Sequence, residues 1–153
     1  MIFCLDATTP QAPSSQPMMN LLRFSFLPRS TDAALLVLRL YLGLTMLLGH
    51  GWGKLLKFQT AAPGFPSPIP QLSPQVAYGL MVFAEVGCSA LLIIGLLTRF
   101  ASLTLLINMI VAFVVVHEMN IGGPKSGELA FLYLGGFLAL FLAGAGKFSA
   151  DRH

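Results

Sequence analysis

Charge is scarce in this chain: 9 Lys and Arg and 6 Asp and Glu make up only 10% of 153 residues. A soluble domain of this size covers its surface with about 25% charged residues, so the composition is not that of one. The net charge of +3 comes with no basic stripe interleaved with aromatics, which argues against nucleic acid as a partner. Cysteine is scarce too. Cys4 stands in a polar tail and Cys88 in an apolar run, a poor pair for a disulfide, and without a CxxC neither a dithiol centre nor a zinc site built from this chain alone is expected. Strict polar alternation over about ten residues never occurs, which removes a membrane β-barrel. Haem-ligand patterns, iron–sulfur cysteines and a flavin fingerprint are also lacking, so electrons would have to come from elsewhere.

What is present is hydrophobicity: 56% of residues are apolar, 12 are Phe, and the mean hydropathy is +0.78. Four apolar stretches, 33–49, 76–98, 100–116 and 129–146, each approach the roughly 20 residues that cross a hydrocarbon core once their ends are included. Segments 90–97 and 137–143 are apolar all round, unlike helices of a soluble bundle, which keep a polar face. The expected fold is all-α, an integral membrane bundle of four transmembrane helices at about 31–52, 75–98, 100–118 and 127–146, within a membrane domain over 29–153. Residues 1–28, with Pro10, Pro13 and Pro17 among Ser, Thr and Gln, read as a disordered tail without a secretion signal.

Positive charge sets the orientation. Arg23, Arg29, Arg99, Lys147 and Arg152 fall on one side and Lys54, Lys57 and Lys125 on the other, so both termini are expected in the cytoplasm. The longest connection, 54–75, carries Pro63, Pro66, Pro68, Pro70 and Pro74, which block helix and strand ladders. Its Leu55, Leu56, Phe58, Phe65, Ile69 and Leu72 give it an apolar side, so it reads either as a lid over an external cavity or as a linker anchored at the interface. Gly135, Ala139 and Ala143 recur every four residues on the fourth helix; left unused inside the bundle, that face would make a homodimer.

Ionisable groups inside apolar spans demand an explanation, because a lone charge there costs several kcal/mol. Arg39 lies two turns into the first helix and Glu85 near the middle of the second. Counting 1.5 Å per residue from the cytoplasmic ends puts them about 12 Å and about 20 Å deep, a gap that an extended Arg closes, so they are expected to face each other. Asn108 on the third helix completes an expected polar core of Arg39, Glu85 and Asn108. That core serves either as a structural bridge or as a site where the carboxylate binds a polar headgroup or relays a proton.

Arg39, Gly43, Met46 and His50 share one helical face, joined by Lys54 if the helix persists through Gly51 and Gly53. His50, Lys54, His117, Glu118, Asn120, Glu128 and Tyr133 should gather at the outer ends. Imidazoles with a carboxylate suit zinc or iron, but no HxxxH or ExxH spacing is present and no metal is expected. Cys88 reads as inert packing, and Trp52, Phe58 and Tyr78 as interface aromatics.

RLYLGLTMLLGHGWGKLLKF resembles the first helix and following turn of DoxX-like membrane proteins through Arg39, Gly43, His50, Gly51 and Lys54. FAEVGCSALLIIGLLTRFASL is similar to the family's second helix and cytoplasmic turn, with Glu85 at its acidic position and Gly95, Thr98 and Arg99 at the turn. The closing GAGKFSAD resembles the family's glycine-containing exit, and the likeness covers residues 33–151. It implies a four-helix protein of the bacterial inner membrane. It also implies a link to quinone-dependent sulfur oxidation, as in subunits of a thiosulfate:quinone oxidoreductase, or to membrane assemblies that handle oxidative stress.

A quinone needs an apolar cleft for its tail and a few donors or proton acceptors for its carbonyl oxygens. Glu85 and Arg39 are the expected reactive pair; His50, Lys54, Asn108 and His117 are the expected ligand-binding residues, with Met46, Phe83 and Phe113 as walls. On this reading the chain is a redox-linked membrane subunit, in contact with the lipid bilayer and with a redox partner protein. The alternatives are a non-catalytic membrane anchor or assembly factor, and a small-solute transporter.

Overall fold

The computed structural model describes residues 16–24 and 30–151, and among them every regular element is helical. The first unit, residues 1–30, contributes one short helix, α1 (Gln16–Leu22). The disordered tail expected over 1–28 therefore meets the structure only at 16–24, where a helix stands in its place. Pro17 is tolerated in a first turn, and Met18, Met19, Leu21 and Leu22 behind it are unbranched at Cβ and favour helix. The rest of that tail, with Cys4, lies outside the described residues, as do Arg29 and Arg152.

The second unit, residues 31–153, holds α2 (Thr31–Leu56), α3 (Phe58–Ala61), α4 (Pro74–Ile94), α5 (Thr98–Val116) and α6 (Glu128–Ala143). Among these, α2, α4 and α5 are long and apolar enough to cross a membrane. The fourth apolar helix, α6, has 16 residues, or about 24 Å of rise. It stops short of residue 146 because Gly144 turns the chain at φ +81°. Three helices of full crossing length and one shorter apolar helix thus make up the four apolar helices expected.

Glycines set how closely α2 and α4 approach. A Cβ on Gly43 would lie 2.7 Å from Ile93 Cγ1, and one on Gly51 would lie 2.8 Å from the Glu85 carbonyl oxygen. The antiparallel register therefore places Gly43 opposite the turn from Ser89 to Ile93, and Gly51 opposite Glu85. On the other side of α2, Gly136 of α6 accepts Leu42 at a similar approach of 2.6 Å. Leu92, Ala101, Leu105, Phe137 and Leu140 are fully enclosed at the centre. Gly135, Ala139 and Ala143 of α6 remain exposed, outside this core.

The three crossing helices each widen locally into π-type turns, at Leu47–Gly51 in α2, Phe83–Cys88 in α4 and Ala112–Val116 in α5. Such turns displace side chains from the regular helical track and concentrate at functional sites. Two further departures from expectation lie between α2 and α4. The helix runs through Gly51 and Gly53 as far as Leu56, held by a hydrogen bond that Tyr78 Oη donates to the Lys54 carbonyl at 3.0 Å. The connection then continues as α3 and a 3-10 turn, Ala62–Gly64, before the prolines take over. Tyr78, expected at the interface, is buried between Phe58 and Phe65, whose rings meet it edge-on at 5.5 and 5.3 Å.

Candidate functional site

Arg39 and Glu85 do not face each other. The register that sets Gly51 against Glu85 carries Arg39 to the far end of α4, opposite Gly95, so the two charges are separated along the helix axes. Depth counted from each helix end had assumed that an Arg reaches towards the middle of the bundle; here it reaches back towards the end at which its helix starts. Arg39 is fully buried, and its Nη2 donates to the Phe148 carbonyl. Its Nε and Nη1 have no hydrogen-bond partner among the described residues, and Asp151 is the acid whose charge acts on it.

The segment after α6 thereby forms a clasp over this end of the bundle. Asp151 Oδ1 accepts from the Leu97 amide at 2.7 Å and Oδ2 from the Thr98 amide at 2.9 Å, while the Asp151 amide donates to the Gly95 carbonyl at 2.9 Å. The free amides at the start of α5 are thus capped by an acid more than fifty residues away, which also suits the positive end of the helix dipole. Asp32 accepts from the Lys147 amide at 3.0 Å and ties the start of α2 to the same segment. Gly95, at φ +76°, leaves no room for a Cβ beside the Arg39 guanidinium.

At the opposite end lies a cavity of about 760 Å³, bordered by α2, α4, α5, α6 and the connection after α3. Its volume suits a drug-sized ligand, and most of its wall is apolar. Lys54 Nζ donates to both carboxylate oxygens of Glu85, at 2.6 and 2.8 Å, and Asn108 Nδ2 donates to Glu85 Oε1 at 3.5 Å. Glu85 is 3% exposed, so the ammonium supplies the charge that a buried carboxylate needs. The reach follows from helix geometry: Cα–Cβ bonds tilt towards the helix start, so Lys54 leans back one turn onto the level of Gly51 and Glu85.

The remaining cavity groups fall into place around this trio. His50 packs edge-on against Tyr133 with ring centroids 5.8 Å apart, and Tyr133 stacks on Phe137 at 5.7 Å. His117 also lines the cavity, with Nδ1 3.0 Å from the Lys125 carbonyl oxygen. Of the expected walls, Met46 and Phe83 are present, whereas Phe113 turns away to meet Phe131 at 5.4 Å. Phe65, Pro68, Ile69 and Leu72 bring the proline-rich connection onto the cavity as a covering. No group of three His, Cys, Asp or Glu suited to a metal exists among the described residues, and Cys88 is fully buried in the core.

Five of the six residues singled out from sequence therefore border one cavity: His50, Lys54, Glu85, Asn108 and His117. Arg39 belongs to the clasp instead. Sequence reasoning missed Met81, Thr104 and Ser126, which also line the cavity, and the roles of Gly95, Phe148 and Asp151. Thr104 faces it from the same side of α5 as Asn108, a spacing of four that carried the only available signal.

Apolar helices of crossing length, tied at one end and enclosing a mainly apolar cavity at the other, define an integral membrane bundle with an internal cavity of ligand size. The DoxX family profile matches residues 34–118, more than half of the chain, and the chain belongs to the DoxX family. Two proteins of Haemophilus influenzae, each described as an uncharacterized protein, are similar to it. One is 31% identical over 130 residues, covering 79% of this chain and 83% of that protein. The other is 33% identical over 112 residues, covering 70% and 81%. No solved structure matches the chain. The matched region holds the Lys54, Glu85 and Asn108 trio, while α6 and the segment after it lie beyond it.

Proposed function

We propose that this protein is a redox-linked subunit of a bacterial inner membrane that binds a quinone or a similar apolar ligand in the cavity beside Glu85. The observation that carries this reading is the cavity itself, about 760 Å³ with a mainly apolar wall and the Lys54, Glu85 and Asn108 cluster set into it. Those residues fit a quinone: Lys54 and Asn108 are donors for carbonyl oxygens, Glu85 is a proton acceptor beside them, and Met46, Phe83 and Ile107 suit a ring and tail. A bound quinone would supply two-electron acceptance, with the electrons delivered by a partner protein. This chain's own residues would orient the ring, keep water away and hold a proton at the Glu85 carboxylate.

The transporter reading has less support. Leu92, Leu105, Phe137 and Leu140 are fully buried between the cavity and the clasp, where a solute would need a polar path. Exposed Arg99 and Lys147 support a cytoplasmic clasp end. Lys54, counted from sequence as a charge at the opposite face, is paired with Glu85, which strengthens that bias. The outward Gly135, Ala139 and Ala143 of α6 support a homodimer through that helix.

The test is mass spectrometry of small molecules retained by protein extracted gently from its own membrane, for wild type and Glu85→Gln. A stoichiometric quinone in the wild type, lost in a folded Glu85→Gln, is the expected result. A folded wild type that carries only another polypeptide would favour the anchor or assembly role.

A further inference from the structure

The cavity wall contains residues that also face outward. Leu80 and Phe83 of α4 are 55% and 50% exposed, and Phe100 and Ile107 of α5 are both 53% exposed, yet all four border the cavity. Side chains that border both the cavity and the outer surface form a wall one residue thick along α4 and α5. The packing agrees. Helix α5 rests on α4 along Phe83–Cys88 and Ser89–Ile94, but Pro74–Val82 and Ala112–Val116 make at most marginal contact, so the helices part towards the cavity end. In a membrane this gap meets lipid tails rather than water, and its margin is apolar.

Inside the cavity, one donor is poorly satisfied. The Lys54 ammonium has three hydrogens; two go to the Glu85 oxygens, and the third acceptor is the Met81 thioether sulfur at 3.6 Å. A thioether is a weak acceptor, and a carbonyl oxygen is a much better one for a charged donor. Asn108, at 3.5 Å from Glu85, is at the outer limit of a hydrogen bond and has capacity to spare.

We infer that the ligand is a tailed carbonyl compound that enters from the bilayer between α4 and α5, its carbonyl oxygen replacing Met81 as the third acceptor of Lys54 and its tail lying out past Phe83 and Ile107. This rests on the quinone reading above and deepens it. Lys54 is then the residue that positions the head, and the chain's specificity is for a lipid-phase molecule over a water-borne one.

The experiment uses the full chain in liposomes and two probes, decyl-ubiquinone and the same benzoquinone without its tail, with affinities referred to the concentration of each within the lipid. Wild type should hold the tailed quinone about tenfold more tightly, since the stretch of tail beside the ring packs against Phe83 and Ile107, a contact that the tail-less probe lacks. Ile107→Trp, at the gap, should weaken the tailed probe severalfold more than the tail-less one; Leu80→Trp serves as a second blocking variant should the first misfold. Lys54→Met should weaken both probes and Lys54→Arg should restore part of the loss. Equal binding of the two probes, unaffected by either Trp variant but lost in Glu85→Gln, would overturn sideways entry and leave the quinone site standing. Unchanged affinity in Lys54→Met would overturn the role of Lys54. Binding of neither probe, or a retained phospholipid in their place, would overturn this inference and the quinone reading together.

Discussion

Lys54 on α2 and Glu85 on α4 form a bidentate ion pair across a glycine contact, with the ammonium 2.6 and 2.8 Å from the two carboxylate oxygens. The pair is asymmetric: the Glu85 side chain is 4% exposed and the Lys54 side chain 34%, reached through the cavity. Removing the lysine strands a buried acid, whereas removing the acid leaves a cation that still touches the cavity.

Lys54→Met is therefore expected to destabilise the bundle more than Glu85→Gln does, by about 1–3 kcal/mol once screening at the cavity mouth is discounted. The double variant should cost less than the sum of the two single ones. Thermal unfolding of all four proteins in detergent measures the coupling.

Asp151 caps α5 from outside its own helix, so its loss should be felt at two places at once. Asp151→Ala is expected to cost about 1–2 kcal/mol, the value of a lost N-cap. Amide hydrogen exchange should accelerate at Leu97 and Thr98 before the rest of α5. Asp151→Asn keeps one acceptor oxygen and should fall between the two.

Glycines at two positions should respond in opposite ways to a single methyl group. Gly95→Ala meets both a left-handed φ and the Arg39 guanidinium, and is expected to lose about 3 kcal/mol or more, seen as loss of folded protein in detergent. Gly53 sits in a helix with open space where a Cβ would stand, so Gly53→Ala should raise thermal stability by about 0.5 kcal/mol.

If α6 joins two copies through Gly135, Ala139 and Ala143, a bulky side chain in the stripe must separate them. Ala139→Leu is expected to shift wild-type dimers to monomers in analytical ultracentrifugation in detergent. It should leave the melting of the bundle unchanged, because Ala139 is exposed and outside the core.

The helices were legible because hydrophobic length is a strong signal, and their ends were less so because single residues decide them. Gly144 closed α6 early, while Gly51 and Gly53, which look like breaks, stayed helical: α4 packs against Gly51, and Tyr78 holds the last turn. The cavity residues were legible because polar side chains are rare in apolar spans, and each one found had to go somewhere. Partners were not. Arg39 is held by a backbone carbonyl, a group every residue carries, and its expected partner Glu85 was taken by a lysine whose reach depended on helix persisting through two glycines.

The clasp also gives the bundle a mechanical polarity. With Asp32, Arg39, Gly95, Leu97 and Thr98 all tied to residues 147–151, the helices at that end are fastened together by hydrogen bonds that span the whole unit. At the other end they part around an open volume, bridged by the Lys54–Glu85 ion pair and the hydrogen bonds of Tyr78 and Asn108. The molecule is built like tweezers joined at the base: the hydrogen bonds are gathered at the base, and the room lies between the tips.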